Sequence, residues 1–144
     1  MKGKLVRVGT TYVPVQCVDQ SAKWYAEKLG ATINYQDDDK AILDLANQSF
    51  FLVKSQENEN ANFVDHRGTK RFSLTFEVDG IESLYMIHEE FRGYGIQTGE
   101  IEDRGHTGEN FVFSDPDGNT FDVWSELSPA YKKMQTLHEA EVKK

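Results

Sequence analysis

The residues best placed to do chemistry lie between Phe111 and Trp124, in FVFSDPDGNTFDVW. Phe111 and Phe113, then Phe121 and Val123, recur at the two-residue period of a half-buried strand. Between them stand turn formers: Pro116 presets φ, Asp115 and Asp117 can bond nearby amides, and Gly118 accepts a left-handed conformation. A hairpin is expected, with Phe121 and Val123 in one layer and Thr120, Asp122 and Trp124 on the opposite face. A carboxylate beside an indole can accept a ligand's hydrogen bond, pair with a cation over a stacking surface, or act as a general base where burial raises its pKa. The plainer reading of the same pattern is a surface aspartate.

Composition narrows the classes. A chain of 144 residues with 38% hydrophobic content can pack one domain or two small modules. A formal net charge of -8, with no cluster of Lys and Arg, argues against nucleic acid as a partner. The single cysteine, Cys17, excludes an intrachain disulfide and a four-cysteine zinc site, and is expected to be buried and inert. The opening MKGKLVRVGTTYV has two lysines but no apolar core of a signal segment, and no run is long enough to span a bilayer. A cytoplasmic location with no membrane partner is expected.

The elements that must position these residues read as two similar series. From Leu5 the chain reads as a strand with Val13 and Val15 on one face, Pro14 suiting an edge or a bulge. Asp19 or Ser21 can then cap a helix carrying Ala22, Tyr25 and Leu29, closed by Gly30. Short strands are expected at Thr32 to Tyr35, Ala41 to Leu45 and Phe50 to Val53, and the polar stretch 56–69 reads as a linker. A strand through Phe72, Leu74 and Phe76 follows, then a helix begun by a capping-box-like Asp79 and Glu82. Leu84, Ile87, His88 and Phe91 form its packing stripe before Gly93 and Gly95 stop it. Three more strands lie near Ile96 to Glu100, Phe111 to Phe113 and Thr120 to Ser125. An offset of 63 superposes Thr10 on Ser73 and Gly30 on Gly93, and 70 superposes Leu52 on Asp122, so the chain looks duplicated. Ser128-Pro129 starts an appended helix over 128–144 with Met134 and Leu137 on one stripe.

Two βαβββ units, with VQCVDQSAKWYAEKLG in the first and SDPDGNTFDVW ending the second, resemble the vicinal oxygen chelate superfamily of glyoxalases, bleomycin-resistance proteins and extradiol dioxygenases. The resemblance covers about residues 5 to 126 and implies an α+β fold in which eight strands form an open, cup-like mixed sheet with helices outside. It places a single domain over 1–127, with modules at about 5–55 and 70–126. It also implies a homodimer.

The metal enzymes of that superfamily supply imidazoles from the first strand of each unit and carboxylates from the last. Motif by motif those positions fall here on Thr10 and Ser73, and on Leu52 and Asp122, so only Asp122 keeps a metal-binding side chain. His66, His88 and His138 stand elsewhere, while His106, just before the Phe111 strand, can reach the mouth of the cup. The resemblance lines the cup with Thr10, Tyr12, Ser73, Thr75, Asp122 and Trp124, with Glu77 and Arg104 as candidates for the rim. The expected function is binding of a small organic molecule, with its planar or cationic part in a metal-free cup, in the manner of sequestration or resistance proteins. No cofactor is expected. The alternatives are an enzyme, a lyase, isomerase or dioxygenase using one divalent metal ion through an atypical ligand set, with Asp122 as its catalytic candidate, and an interaction protein docking through its C-terminal helix.

Overall fold

The computed structural model describes residues 3–142. The chain divides into two compact units, one running to Ser73 and including Ser114–Thr120, the other comprising Leu74–Phe113 and the chain from Phe121 onward.

In the first unit, β1 (Thr10–Val15), α1 (Val18–Leu29), β2 (Thr32–Gln36), β3 (Lys40–Leu45) and β4 (Gln48–Lys54) follow the expected order. The sheet order is β1-β4-β3-β2, with β1 parallel to β4 and the other pairs antiparallel. Pro14 lies on the edge strand β1, where a missing N–H costs no central ladder bond. On α1, Val18, Ser21, Ala22 and Tyr25 are buried at the i, i+3, i+4, i+7 spacing of one helical stripe. They share a core with Val13, Val15, Ala41, Leu43, Phe50 and Leu52. Gly30, with φ 73°, closes α1 by donating its N–H to the Tyr25 carbonyl.

Several local expectations are corrected. The N-terminal stretch 3–9 carries no strand, which begins only at Thr10. The first helix is capped neither by Asp19 nor by Ser21; its N-cap is Cys17, whose side chain makes no capping bond, and Ser21 lies inside the helix. Cys17 is exposed rather than buried, because the N-cap position stands outside the packed stripe. Within the polar stretch 56–69, β5 (Asn62–Val64) pairs antiparallel with β6 (Lys70–Phe72). The chain then bends at Ser73, so the expected strand through Phe72 and Phe76 is two strands with different partners.

The second unit holds β7 (Thr75–Glu77), α2 (Ile81–Gly93), β8 (Gln97–Thr98), β9 (Asn110–Ser114), β10 (Thr120–Trp124) and α3 (Pro129–Val142). Its sheet order is β7-β10-β9-β8, with β7 parallel to β10. Gly80, with φ 102°, is the N-cap of α2, and no Asp79 capping bond forms. The core is an aromatic cluster: Phe113 lies 5.0 Å from Phe91, 5.6 Å from Phe121 and 5.8 Å from Phe76 between ring centroids. Leu84 and His88 on α2 are buried beside it, His88 edge-on to Phe111 at 5.0 Å. The expected α+β arrangement of eight strands is thus carried, among the described residues, as two mixed sheets of four with no closed barrel. Each unit completes its own set by a parallel pair between its first and last strands, leaving β1 and β2, and β7 and β8, as edges.

The turn 114–120 anchors the first unit. Asp115 Oδ1 accepts from the N–H groups of Asp117 and Asn119, both at 2.9 Å, while Oδ2 accepts from Tyr25 Oη at 2.7 Å and Asn119 Nδ2 at 2.8 Å. Asn119 also donates to the Pro14 carbonyl, and Asp117 accepts from Gln16 N and Ser21 Oγ. Burial raises the Asp115 pKa despite the donors from Asn119 and Tyr25, and burial with the neighbouring Asp115 carboxylate holds the Tyr25 phenol well above its ordinary value. A raised carboxylate pKa makes folding most favourable below the ordinary value, an advantage lost as pH rises through the raised one. Tyr25→Phe removes a donor that holds that pKa down. We expect a loss of about 1–3 kcal/mol near neutral pH, narrowing as pH falls toward the ordinary carboxylate range, in urea unfolding at several pH values.

Candidate functional site

Strand β10 separates two environments by its alternation. Phe121 and Val123 enter the aromatic core, and Asp122 and Trp124 project from the opposite face. Asp122 is nonetheless only 5% exposed, so it is not the surface aspartate that pattern alone suggests. Its Oδ2 accepts from Thr75 Oγ1 at 3.1 Å, on the parallel neighbour β7, and from Asn110 Nδ2 at 2.9 Å, on β9. Its Oδ1 lies 3.1 Å from Arg104 Nη2, an ion pair by distance that lacks the geometry of a hydrogen bond. Asp122 Oδ1 and Asn110 Oδ1 are therefore buried acceptors without a donor. Leaving such atoms unmet costs about 1–3 kcal/mol each, so each calls for an occupant.

The segment 102–109 lies against this face. Arg104 Nε donates to Glu102 at 2.9 Å while its other end approaches Asp122. Partial burial opposes the Arg104 charge, but Glu102 and Asp122 outweigh it and hold the guanidinium above its ordinary pKa. Trp124 Nε1 donates to the Thr107 carbonyl at 2.9 Å, the His106 ring stands edge-on to the Trp124 ring at 6.0 Å, and Glu109 N donates to Ser125 Oγ. Gly108 is required here: φ is 78°, and a Cβ would fall 2.5 Å from Ser125 Oγ and 2.9 Å from Trp124 Nε1.

Of the residues singled out from the sequence, the structure gathers Thr75, Asp122, Trp124 and His106 in the second unit. Thr10, Tyr12 and Ser73 belong to the first. Thr10 opens β1 and is exposed; Tyr12, 66% exposed, stands edge-on to Phe51 at 5.2 Å; Ser73 is exposed at the bend between β6 and β7. Glu77, a rim candidate, instead accepts from Ser128 N at 2.9 Å. Asn110 was missed, although the alternation that buries Phe111 and Phe113 puts Asn110 on the Asp122 face. The offset that matched Leu52 to Asp122 slips by one residue. Tyr12 pairs with Phe51 as Thr75 pairs with Asp122, while Leu52 is fully buried in the layer of Val13 and Ala41.

The donor set does not suit a divalent ion. Phe51 offers no lone pair, Asp122 Oδ2 is already met by Thr75 and Asn110, its Oδ1 faces the Arg104 cation, and among the described residues no three His, Cys, Asp or Glu side chains are grouped to hold a metal. Two open clefts, of about 620 and 710 Å³, lie elsewhere, in the first unit; the larger is lined by Gln16, Cys17, Asp37 and Lys54. No helix among the described residues is long and apolar enough to cross a membrane.

The family model described as Glyoxalase/Bleomycin resistance protein/Dioxygenase superfamily matches residues 7–123. No curated protein matches the chain. Among solved structures, the chain resembles a lactoylglutathione lyase from Agrobacterium tumefaciens, at TM-score 0.67 and 14% identity over 85% of this chain and 95% of that one. It resembles a genomically encoded fosfomycin resistance protein from Listeria monocytogenes, at 0.66 and 13% over 85% and 95%. A third similar structure is an antibiotic binding protein from a Streptomyces species, at 0.64 and 17% over 85% and 98%. At these identities the likeness is one of fold.

The packing of segment 102–109 on Trp124 predicts that Gly108→Ala lowers stability by about 1–3 kcal/mol in denaturant unfolding. The Trp124 indole N–H resonance should move as its bond to Thr107 is disturbed.

Proposed function

The chain belongs to the Glyoxalase/Bleomycin resistance protein/Dioxygenase superfamily, and we propose that within it this protein binds a small organic molecule, without a metal, on the sheet face that carries Asp122 and Trp124. The observation that carries this reading is the pair of buried acceptors, Asn110 Oδ1 and Asp122 Oδ1, which accept no hydrogen bond from the described residues, the latter facing only the Arg104 cation at 3.1 Å. Buried acceptors beside an aromatic ring suit an organic ligand that brings N–H or O–H groups and a flat surface. Thr75 and Asn110 hold the carboxylate in place, and Trp124, fixed through Thr107, supplies the stacking wall. The sequestration or resistance type of role fits a site whose carboxylate is held in place beside a stacking ring. His106 is retained as a candidate ligand contact beside Trp124.

A screen of small molecules by thermal shift should yield a ligand whose binding weakens by about 1 kcal/mol or more, roughly fivefold, in Asp122→Ala or Trp124→Ala. Purified protein should carry no stoichiometric transition metal. About one zinc, nickel, iron or manganese per chain, lost on Asp122→Ala, would instead establish the alternative, a metal-dependent enzyme of the superfamily.

We further propose a homodimer through α3. None of its residues is buried, and Met134 and Leu137 are 58% and 59% exposed on one stripe. Light scattering at micromolar concentration should give twice the 16.5 kDa chain mass. Removal of residues 128–144 should return a monomer.

A further inference from the structure

Resting on the ligand-binding reading above, we infer that the Arg104 guanidinium is a displaceable stand-in for the ligand, and that the group Asp122 and Asn110 receive is an organic cation bearing N–H donors, an alkylguanidinium being the closest match. What the site lacks is donors. Two buried oxygens on adjacent side chains, joined by the bond from Asn110 Nδ2 to Asp122 Oδ2 at 2.9 Å, have no hydrogen to accept. One belongs to a carboxylate, so the donor that satisfies it best is positively charged. A planar fork of N–H groups can address two neighbouring acceptors together, which a single-donor alcohol cannot. An anion is disfavoured, since Asp122 and Glu102 flank the only nearby cation among the described residues' ion pairs.

Arg104 brings the right group to the right oxygen but makes a poor fit. Its Nη2 reaches 3.1 Å from Asp122 Oδ1 without hydrogen-bond geometry, because Nε is held by Glu102 at 2.9 Å. Its side chain is 29% exposed, so a path outward exists, and Glu102, 56% exposed, remains its partner once it leaves Asp122. Gly105, with φ 87°, follows it directly and gives the segment a conformation other residues resist. A free cation is not tethered to Glu102 and can align with both acceptors. The displaced arginine keeps a counter-ion, so no charge is stranded. Affinity in the intact protein is then reduced by the fraction of time Arg104 occupies the carboxylate.

The test is a titration of methylguanidinium chloride into the wild-type chain and into Arg104→Ala, followed by the Asn110 side-chain amide and Trp124 indole resonances. Tetramethylammonium chloride, a cation with no N–H, is the control. Arg104→Ala should bind methylguanidinium about tenfold more tightly than the wild type, should lose that gain in the Arg104→Ala/Asp122→Asn double variant, and should ignore tetramethylammonium. Arg104→Gln keeps a neutral donor and serves where the alanine variant does not fold; a smaller gain is expected. Equal affinity in wild type and variant, or equal response to tetramethylammonium, overturns the inference and leaves water as the occupant of the two oxygens. In that event, a screened ligand that still depends on Asp122 preserves the binding reading and removes only the cation class. A ligand indifferent to Asp122→Ala removes the reading itself.

Discussion

The Asp115 carboxylate is the point on which the first unit depends. It is 6% exposed, yet each oxygen receives two hydrogen bonds, from Tyr25 and Asn119 side chains and from the amides of Asp117 and Asn119. A carboxylate stripped of water is tolerable only when so fully met. The same contacts shape the turn and fasten it to α1 through Tyr25. Asn119 extends the fastening to β1 at Pro14 and to the Ala61 amide, so one charge fixes three separate stretches of backbone. In the second unit no such charge organises the core. There, mutually edge-on and stacked phenylalanines set the spacing between α2 and the sheet, and the polar side of β10 is freed for another purpose.

What the sequence made legible was what period and turn chemistry write locally. The alternation of Phe111, Phe113, Phe121 and Val123, the α1 stripe ending at Gly30 and the Ser128-Pro129 helix start each rest on contacts within a few residues, and each is found. The family resemblance holds for the same reason, since its motifs are those turns and stripes. What escaped was set by tertiary contact. Cys17 is the N-cap rather than Asp19 or Ser21, and Ser21 lies inside the helix with its hydroxyl donated to Asp117, 96 positions away. Ser73 became a bend because its flanking residues pair with β5 on one side and β10 on the other. The slip from Leu52 to Phe51 shows that matching by offset fixes an element but not its face, because one residue of register exchanges the two sides of a strand.

The candidate site was half visible. Asp122 and Trp124 follow from alternation, and Thr75 from the family resemblance. Arg104, named only as a candidate for the rim, comes from a loop whose path no periodicity encodes, and it changes the electrostatic meaning of the strand, since the carboxylate has an internal counter-ion at 3.1 Å. The acidity of the chain as a whole says little about such a site. What decides its chemistry is the local imbalance, more acceptors than donors in a small buried volume.

The turn 114–120 also has a place in time. As the chain leaves the ribosome, α1 and β1 to β4 emerge together and can collapse early. The phenol of Tyr25, the Pro14 carbonyl and the Gln16 amide, however, wait for partners 90 to 105 residues downstream. Until then Tyr25 faces its own core with an unanswered hydroxyl, and the half-made domain is held by apolar contact alone. Long loop closures of this kind slow folding. The last constraint on the first unit therefore arrives only once Asn119, 105 residues after Pro14, has been made, and up to that point the exposed apolar surface is what a chaperone can hold.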